Sequence, residues 1–354
     1  MTEPASPAGA PAEITHLVRR RTEARTKHNW AEADALKAEI EAAGWKVVDQ
    51  GGKTSVTRAA PPTVEIAGEV RYGSSAAVPS LLDGPATAAA TVVILASEAP
   101  ARITQFLAGL RANAPAGTQV VIVVNDPSAA QEAALAPDAP DREAIAGTAP
   151  ELLRTSTRIG YAAAINMGLR RAAGEIVILA DGSAWPTGDA ITPLAAALAD
   201  DTVAAAGAFG LIAAEPGRLR PGALERTAEP RDVVALEGGW LAFRRSDLAT
   251  LGPLDERYVT PSWLDVWWSL RLRGGLDPDW TETPETEDQI EAEPAQPEPE
   301  AEPAFPGLPA PRRAVNLALP LSRSTVSWPP DRSRLNRRNM YRILDRFGWR
   351  DDLG

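Results

Sequence analysis

The chain has 354 residues, enough for about two domains with buried cores, and its 44% hydrophobic and 23% charged residues suit a globular protein. It has no cysteine, which excludes a disulfide scaffold, a thiolate zinc site, an iron–sulfur cluster and a cysteine nucleophile. Its 2 histidines are His16 and His28, so the rest of the chain has no histidine chemistry, and its formal charge of −11 argues at face value against a general nucleic-acid binder.

In chain order, the opening MTEPASPAGAPAEI lacks the apolar stretch of a secretory signal. No run reaches the roughly 18 apolar residues of a membrane-spanning helix. A cytoplasmic protein is expected, with peripheral membrane association left open. Residues 1–13 read as a Pro/Ala tail and residues 14–58 as a small module. Ile14–His28 predicts one helix, Ala31–Ala43 a second that ends at Gly44, and Lys46–Arg58 a hairpin around Gly51-Gly52. The first helix carries Arg19, Arg20, Arg21, Arg25 and Lys27 against Glu23. That is either a solvated basic face or a phosphate contact. Residues 59–87 are rich in Pro, Ser and Gly and read as a linker or docking arm, with one weak strand pattern at Val64–Ile66.

From Thr91 onward, apolar runs alternate with helical patterns. Strands are predicted at 91–96, 119–124, 175–180 and 202–207, and helices at 103–111, 160–173 and 190–199. This order implies βαβ units, a mostly parallel sheet, and a ligand site outside the carboxyl ends of its strands. Asp277 to Glu302 holds eleven acids and no Lys or Arg, in a Pro-rich stretch, which predicts disorder over 277–312. Without those acids the chain carries 36 charges of each sign, so the acidity has one address and says nothing of the folded part's ligands. A returning strand (315–321) and an Arg-rich amphipathic helix (336–347) close the chain.

Three local patterns carry chemistry. In RIGYAAAINMGLRRAAGEIVILADGS (158–183), small residues open a helix and a strand ends in Asp181. The helix start suits an anionic group, and a carboxylate at a strand's carboxyl end suits a divalent ion on a diphosphate. A close-packed Ala/Gly helix followed by an Asp-Gly turn explains the same residues. In VVNDPS (123–128), Asn125 and Asp126 can accept from a nucleoside or make an Asx turn. In GGWLAFRRSDLATLGPLDERYVTPSWLDVWWSLRLRGG (238–275), Asp265 opens an apolar helix. It reads as a general base or as the fourth residue of an S-x-x-[DE] helix cap at Ser262-Trp263-Leu264-Asp265, two roles that do not exclude each other.

The wording of the module, RRRTEARTKHNWAEADALKAEIEAAGWKVVDQGGKT, resembles the C-terminal helical module of cysteinyl-tRNA synthetases. The resemblance implies an RNA-contacting or docking module, with tRNA contact through residues 14–58, and no aminoacylation. The three patterns of the larger part, in order and spacing, resemble family-2 glycosyltransferases of the GT-A fold. RIGYAAAINMG is similar to their N-x-G-x-A-x-A-x-N-x-G element, ILADGS stands at their metal-binding D-x-D, and Leu264-Asp265 stands at their E-D pair.

The resemblance implies an α/β GT-A domain, a Rossmann-like sheet at 88–276 completed by 313–354. It also implies an inverting transfer of a sugar from a nucleotide-diphosphate donor to a glycan, lipid or protein hydroxyl. Asp265 would be the base. Ser97, Asn125, Asp126, Gly160, Asn166, Asp181 and Ser183 would line the nucleotide-sugar site, and Gly238, Gly239 and Trp240 would face sugar and acceptor. Asp181 would hold Mg²⁺ or Mn²⁺. The second D-x-D carboxylate is Ser183, Leu264 replaces the Glu of the pair, and no histidine exists on the last strand. The metal is therefore expected to be weakly held or dispensable, and Arg323, with Arg332 and Arg334, stands where a cation can meet the diphosphate. A catalytically idle nucleotide-sugar-binding or scaffold protein, and an RNA-associated protein, are the competing readings.

Overall fold

The computed structural model describes residues 11–50, 53–96, 100–136, 139, 143–213, 224–274, 311–324 and 333–347. Residues 1–10 of the expected tail (1–13) and nearly all of the acidic stretch lie outside them, while Ala12 and Glu13 already belong to a helix. The described residues divide into two compact units, one ending at Pro61 and one beginning at Pro62.

In the small unit, α1 (Ala12–Thr26) and α2 (Trp30–Ala42) are followed by an antiparallel ribbon of β1 (Trp45–Gln50) and β2 (Lys53–Arg58). Asn29 caps α2 by accepting from the Glu32 N–H, and Gly44, at φ +81°, ends it in the left-handed conformation that glycine adopts without steric cost. Ile14, Val18, Ile40 and Val56 are buried together. Three cations of the predicted basic face have acidic partners: Arg20 pairs with Glu32 at 3.7 Å, Arg21 makes a bidentate pair with Asp49 (2.8 and 3.0 Å), and Arg25 joins it. The Arg21 hydrogen bonds hold the Asp49 carboxyl well below the usual range.

In the large unit, β3 (Val64–Ile66) and β4 (Glu69–Tyr72) come first, then β5 (Ala88–Ala96), α3 (Pro100–Asn113), β6 (Thr118–Val124), α4 (Ala129–Ala134), β7 (Glu151–Thr155), α5 (Tyr161–Arg170) and β8 (Gly174–Ala180). Next are β9 (Ala184–Pro186), α6 (Ile191–Leu198), β10 (Val203–Gly207), β11 (Gly210–Ala213), β12 (Leu224–Thr227), β13 (Arg231–Val233), β14 (Ala235–Leu236), β15 (Leu241–Arg244), α7 (Arg245–Leu251) and α8 (Leu264–Gly274). After residue 310 follow β16 (Arg313–Asn316), β17 (Leu321–Arg323) and α9 (Ser333–Phe347).

One ten-stranded sheet organises the unit, in the order β13-β16-β10-β15-β8-β5-β6-β7-β4-β3. Its centre is parallel: β5 pairs with β6 and β8, and β6 with β7. The central strands are buried on both faces, as their near-continuous β-branched runs require. One face is covered by α3 and α6, around Phe106, Leu107 and Leu194, and the other by α5, α7, α8 and α9, around Leu169, Leu251, Trp268 and Ile343. This is a three-layer α/β domain with a mainly parallel sheet, as expected.

Two features depart from the sequence reading. The strand pattern expected at Val64–Ile66 is β3, but it is joined by β4 inside the expected linker, and β4 extends the sheet by pairing parallel to β7. β4 is short and half exposed and so lacks the apolar signal that marks the buried strands. Second, β10 does not neighbour β8: β15 lies between them, antiparallel to both. This puts the start of β15 at the same sheet edge as the ends of β8 and β10.

Candidate active site

The carboxyl edge of the sheet brings Asp181 (after β8), Ala208-Phe209 (after β10) and Gly238–Trp240 (before β15) together, with register pairs Leu241↔Leu179 and Gly207↔Leu241 fixing the alignment. Gly238 (φ +64°) and Gly239 (φ +74°) both take left-handed backbone. A Cβ on Gly239 would lie 2.7 Å from the Asp181 Cβ, so only glycine lets this turn pass.

The turn is held by Asp265. Its Oδ2 accepts from the Gly238 N–H at 2.8 Å, and the Gly239 N–H also bonds to it. Asp265 lies in the first turn of α8, and its carboxylate bonds to this glycine turn. Aromatic packing anchors α8: Trp268 meets Phe243 edge-on at 5.4 Å, Trp267 packs on Tyr258 at 5.6 Å, and Arg271 lies 5.2 Å from the centre of the Trp267 ring. Such pairs are worth about 1 kcal/mol each beyond their burial. Trp263, just before the helix, has φ +68°, a strained conformation for a tryptophan that the packing must offset.

Burial pushes the Asp265 carboxyl up to about 7, opposed by the Gly238 N–H and reinforced by the charges of Asp181 and Glu237. The Tyr161 phenol, at the first position of α5, is raised well above its ordinary value by burial, then by Asp265 and Asp181. Asp265, Asp181 and Tyr161 thus form one electrostatic cluster. The sequence reading passed over Tyr161, although a tyrosine heading an Ala/Gly helix is out of place if that helix only packs.

Arg323 completes the edge. On β17 it pairs with Ala184 of β9, and the Ser324 N–H donates to the Ser183 carbonyl at 2.8 Å. Its guanidinium lies 4.3 Å from the centre of the Phe209 ring, and its Nη2 is 3.4 Å from where a Cβ on Gly238 would stand. Arg323 also borders a cleft of about 390 Å³ lined by Phe209, Leu317, Leu319, Leu321 and Arg226.

Several expected site residues turn out to be structural. The Asn166 side chain is buried and spent: it donates to the Leu254 carbonyl (2.9 Å) and Glu256 (3.1 Å) and accepts from the Leu254 N–H (2.9 Å). Asn125 likewise donates to the Ile159 carbonyl and accepts from the Ile159 N–H and the Thr155 hydroxyl. Trp240 is buried in the core, its indole N–H on the Ala184 carbonyl and its ring on Phe106, so it does not face an acceptor. Gly160 is the N-cap of α5, but the first N–H groups of that helix, Tyr161 and Ala162, donate to the carbonyls of Val259 and Tyr258. They are taken, and the small residues serve close packing: a Cβ on Gly168 would strike Val93 at 2.4 Å. Asp126 stays exposed at the end of β6, with φ +55°. Ser183 is buried beneath Asp181, to which its N–H donates at 2.7 Å. Ser97, Arg332 and the side chain of Arg334 lie outside the described residues.

These residues do not fit a protein-held divalent ion. Asp181 is the motif's single carboxylate, one of its oxygens is engaged by Ser183, and a guanidinium stands on the adjoining strand. Among the described residues, no three His, Cys, Asp or Glu side chains converge as a metal cage would require.

The carboxyl sheet edge of this three-layer α/β domain thus holds a half-buried carboxyl with a raised value, the kind of group that marks a candidate functional site. The family model for glycosyl transferase family 2 matches residues 91–248, and that for the cysteinyl-tRNA ligase anticodon binding domain matches residues 8–56. The two matches fall on separate stretches of the chain, the second ahead of the first. Asp265 and Arg323 lie past the matched stretch. No curated protein matches the chain.

Among solved structures, the chain is similar to GalNAc-T7 with UDP, GalNAc and Mn²⁺, at 16% identity and TM-score 0.43 over 53% of this chain and 41% of that one. It is also similar to the mannosyltransferase PcManGT from Pyrobaculum calidifontis with GDP-Man and Mn²⁺, at 21% identity and TM-score 0.38 over 55% and 53%. For S. aureus TarS the figures are 16%, 0.37, 52% and 33%. The chain thus spans about a third to a half of these proteins' lengths.

Among the described residues, no helix is long and apolar enough to cross a membrane.

Proposed function

We propose that the large unit is an inverting glycosyltransferase that takes its sugar from a nucleotide-diphosphate donor. The observation that carries this reading is Asp265: a carboxyl raised to about 7, fixed by a glycine turn at the carboxyl edge of the sheet of a family-2 domain. A base with that value is half ionised at neutral pH and matched to proton abstraction.

In this reading the donor's nucleoside lies toward the exposed Asp126, and its diphosphate lies over the Asp181–Ser183 turn. The acceptor hydroxyl donates its proton to Asp265 as its oxygen attacks the anomeric carbon from the face opposite the diphosphate. One displacement inverts that carbon. The Gly238 and Gly239 N–H groups do not bind sugar in this scheme. They hold the base in place and moderate its rise.

The test is to incubate the chain with UDP- and GDP-sugars and follow nucleoside diphosphate release and the anomer formed by proton NMR. The expected result is turnover of one donor with inversion, lost in Asp265→Asn. Retention of configuration, or equal release by the variant, contradicts it. No release by either form is the outcome an idle donor-binding domain would give.

A second reading, RNA contact through the small unit, rests on Lys27, His28 and Trp30. All three are exposed, Trp30 at 56%, with the His28 and Trp30 rings 5.9 Å apart. An exposed aromatic beside an exposed lysine is a stacking platform for an unpaired base. The matched domain is named for anticodon binding. The check is a gel shift of the full chain with tRNA across a salt series.

A further inference from the structure

The displacement leaves negative charge on the departing diphosphate, and something positive must meet it. The donor set around Asp181 does not hold a divalent ion, but the same edge carries Arg323. Its backbone is fixed by the pairing of β17 with β9 and by the Ser324–Ser183 hydrogen bond, immediately beside the turn that begins at Asp181. Its guanidinium is exposed, braced 4.3 Å from the centre of the Phe209 ring, and beside Gly238, the residue that holds the base. No described carboxylate forms an ion pair with it. By contrast Arg226, on the same cleft, is bound to Glu237 at 2.6 Å. A planar guanidinium with its charge unspent matches two phosphate oxygens at once, and it keeps that charge at any pH the protein meets.

We propose that Arg323 takes the place of a divalent cation, gripping the donor's diphosphate and balancing the charge that builds as it departs, so that transfer runs without bound metal. The bond between the anomeric carbon and the diphosphate oxygen breaks, and its electron pair leaves with that oxygen. The acceptor oxygen forms the new bond, its proton passes to Asp265, and the guanidinium stays protonated throughout. This rests on the donor-site reading above.

The test is calorimetric titration of the full chain with UDP, GDP, dTDP and ADP, once in EDTA and once in Mn²⁺. At least one is expected to bind in EDTA within about threefold of its affinity in Mn²⁺. Arg323→Met should weaken that binding tenfold or more, and Arg323→Lys should recover part of it. Because the side chain is exposed, both variants should melt like the wild type. Binding that requires Mn²⁺, or an Arg323→Met variant that binds like the wild type in EDTA, overturns the proposal and leaves the donor site standing. No binding of any of the four in either buffer overturns the donor-site reading and this proposal with it.

Discussion

Asn125 and Asn166 sit near the same sheet edge as Asp181 and Asp265, in the same kind of motif, yet the two pairs live in different circumstances. Each asparagine engages both its amide nitrogen and its carbonyl oxygen with protein partners. Asn166 ties α5 to residues 254–256, and Asn125 ties the end of β6 to the loop before α5. Asp265 lies where burial and the neighbouring Asp181 charge oppose its ionisation, and both aspartates keep acceptor capacity that no described residue fills. A position at a strand's carboxyl end therefore does not make a residue functional. What separates a clip from a catalyst is whether its hydrogen-bonding capacity is already used.

The sharpest way to break that contrast is to remove one member of each pair. Asp265→Asn is expected to cut donor turnover about a thousandfold, within the range for loss of a general base, while folding is kept. Its stability should even rise at pH 8. The folded Asp265 value, about 7, lies above that of an unfolded aspartate, so between about pH 4 and 7 the native state binds the extra proton and loses stability as pH rises. The amide escapes this, so chemical denaturation should show a gain at pH 8 that vanishes near pH 4. A variant less stable than the wild type at pH 8 would count against the buried charge.

Asn166→Ala should do the opposite. It strands the Leu254 N–H and carbonyl in the core and should cost about 3 kcal/mol in urea unfolding, with turnover per folded molecule kept within a few-fold. A thousandfold loss of turnover at unchanged stability would move Asn166 to the functional side. Gly239→Ala lies between, because its Cβ meets Asp181 and its φ is left-handed. A loss of about 1–2 kcal/mol with a clear fall in turnover is expected. The smallest effect belongs to the other unit: Trp30→Ala should leave stability and sugar chemistry alone and weaken a tRNA gel shift several-fold. An unchanged shift would leave the exposed tryptophan without that role.

How much of this was legible beforehand follows from what each signal depends on. Strands β5, β6 and β8 announce themselves because a strand buried on both faces must be a continuous apolar run, and Asp181 follows from where such a run stops. The insertion of β15 between β8 and β10 is not legible, since LAFR carries no mark of direction. It depends on the Gly238–Gly239 turn meeting Asp181. The fates of Asn125, Asn166 and Trp240 depend on partners up to 90 residues away, beyond the reach of a local pattern. The two readings of Asp265, cap and base, could not be separated locally either. Its bond partner lies 27 residues earlier in the chain. Tyr161 joined the cluster only when α5 was seen to start beside Asp265. Arg323 was legible as a cation in the right order along the chain, and its place beside the Asp181–Ser183 turn needed the β9–β17 pairing.

The most direct measurement of the central claim is the pH dependence of kcat/KM for donor turnover by the wild type, which reports ionisation in the free enzyme. With Asp265 as the base, the rate should rise about tenfold per pH unit below about pH 7 and level off above it, with that limb absent from the residual activity of Asp265→Asn. A profile flat from pH 5 to 9, or the same limb in the variant, would contradict it.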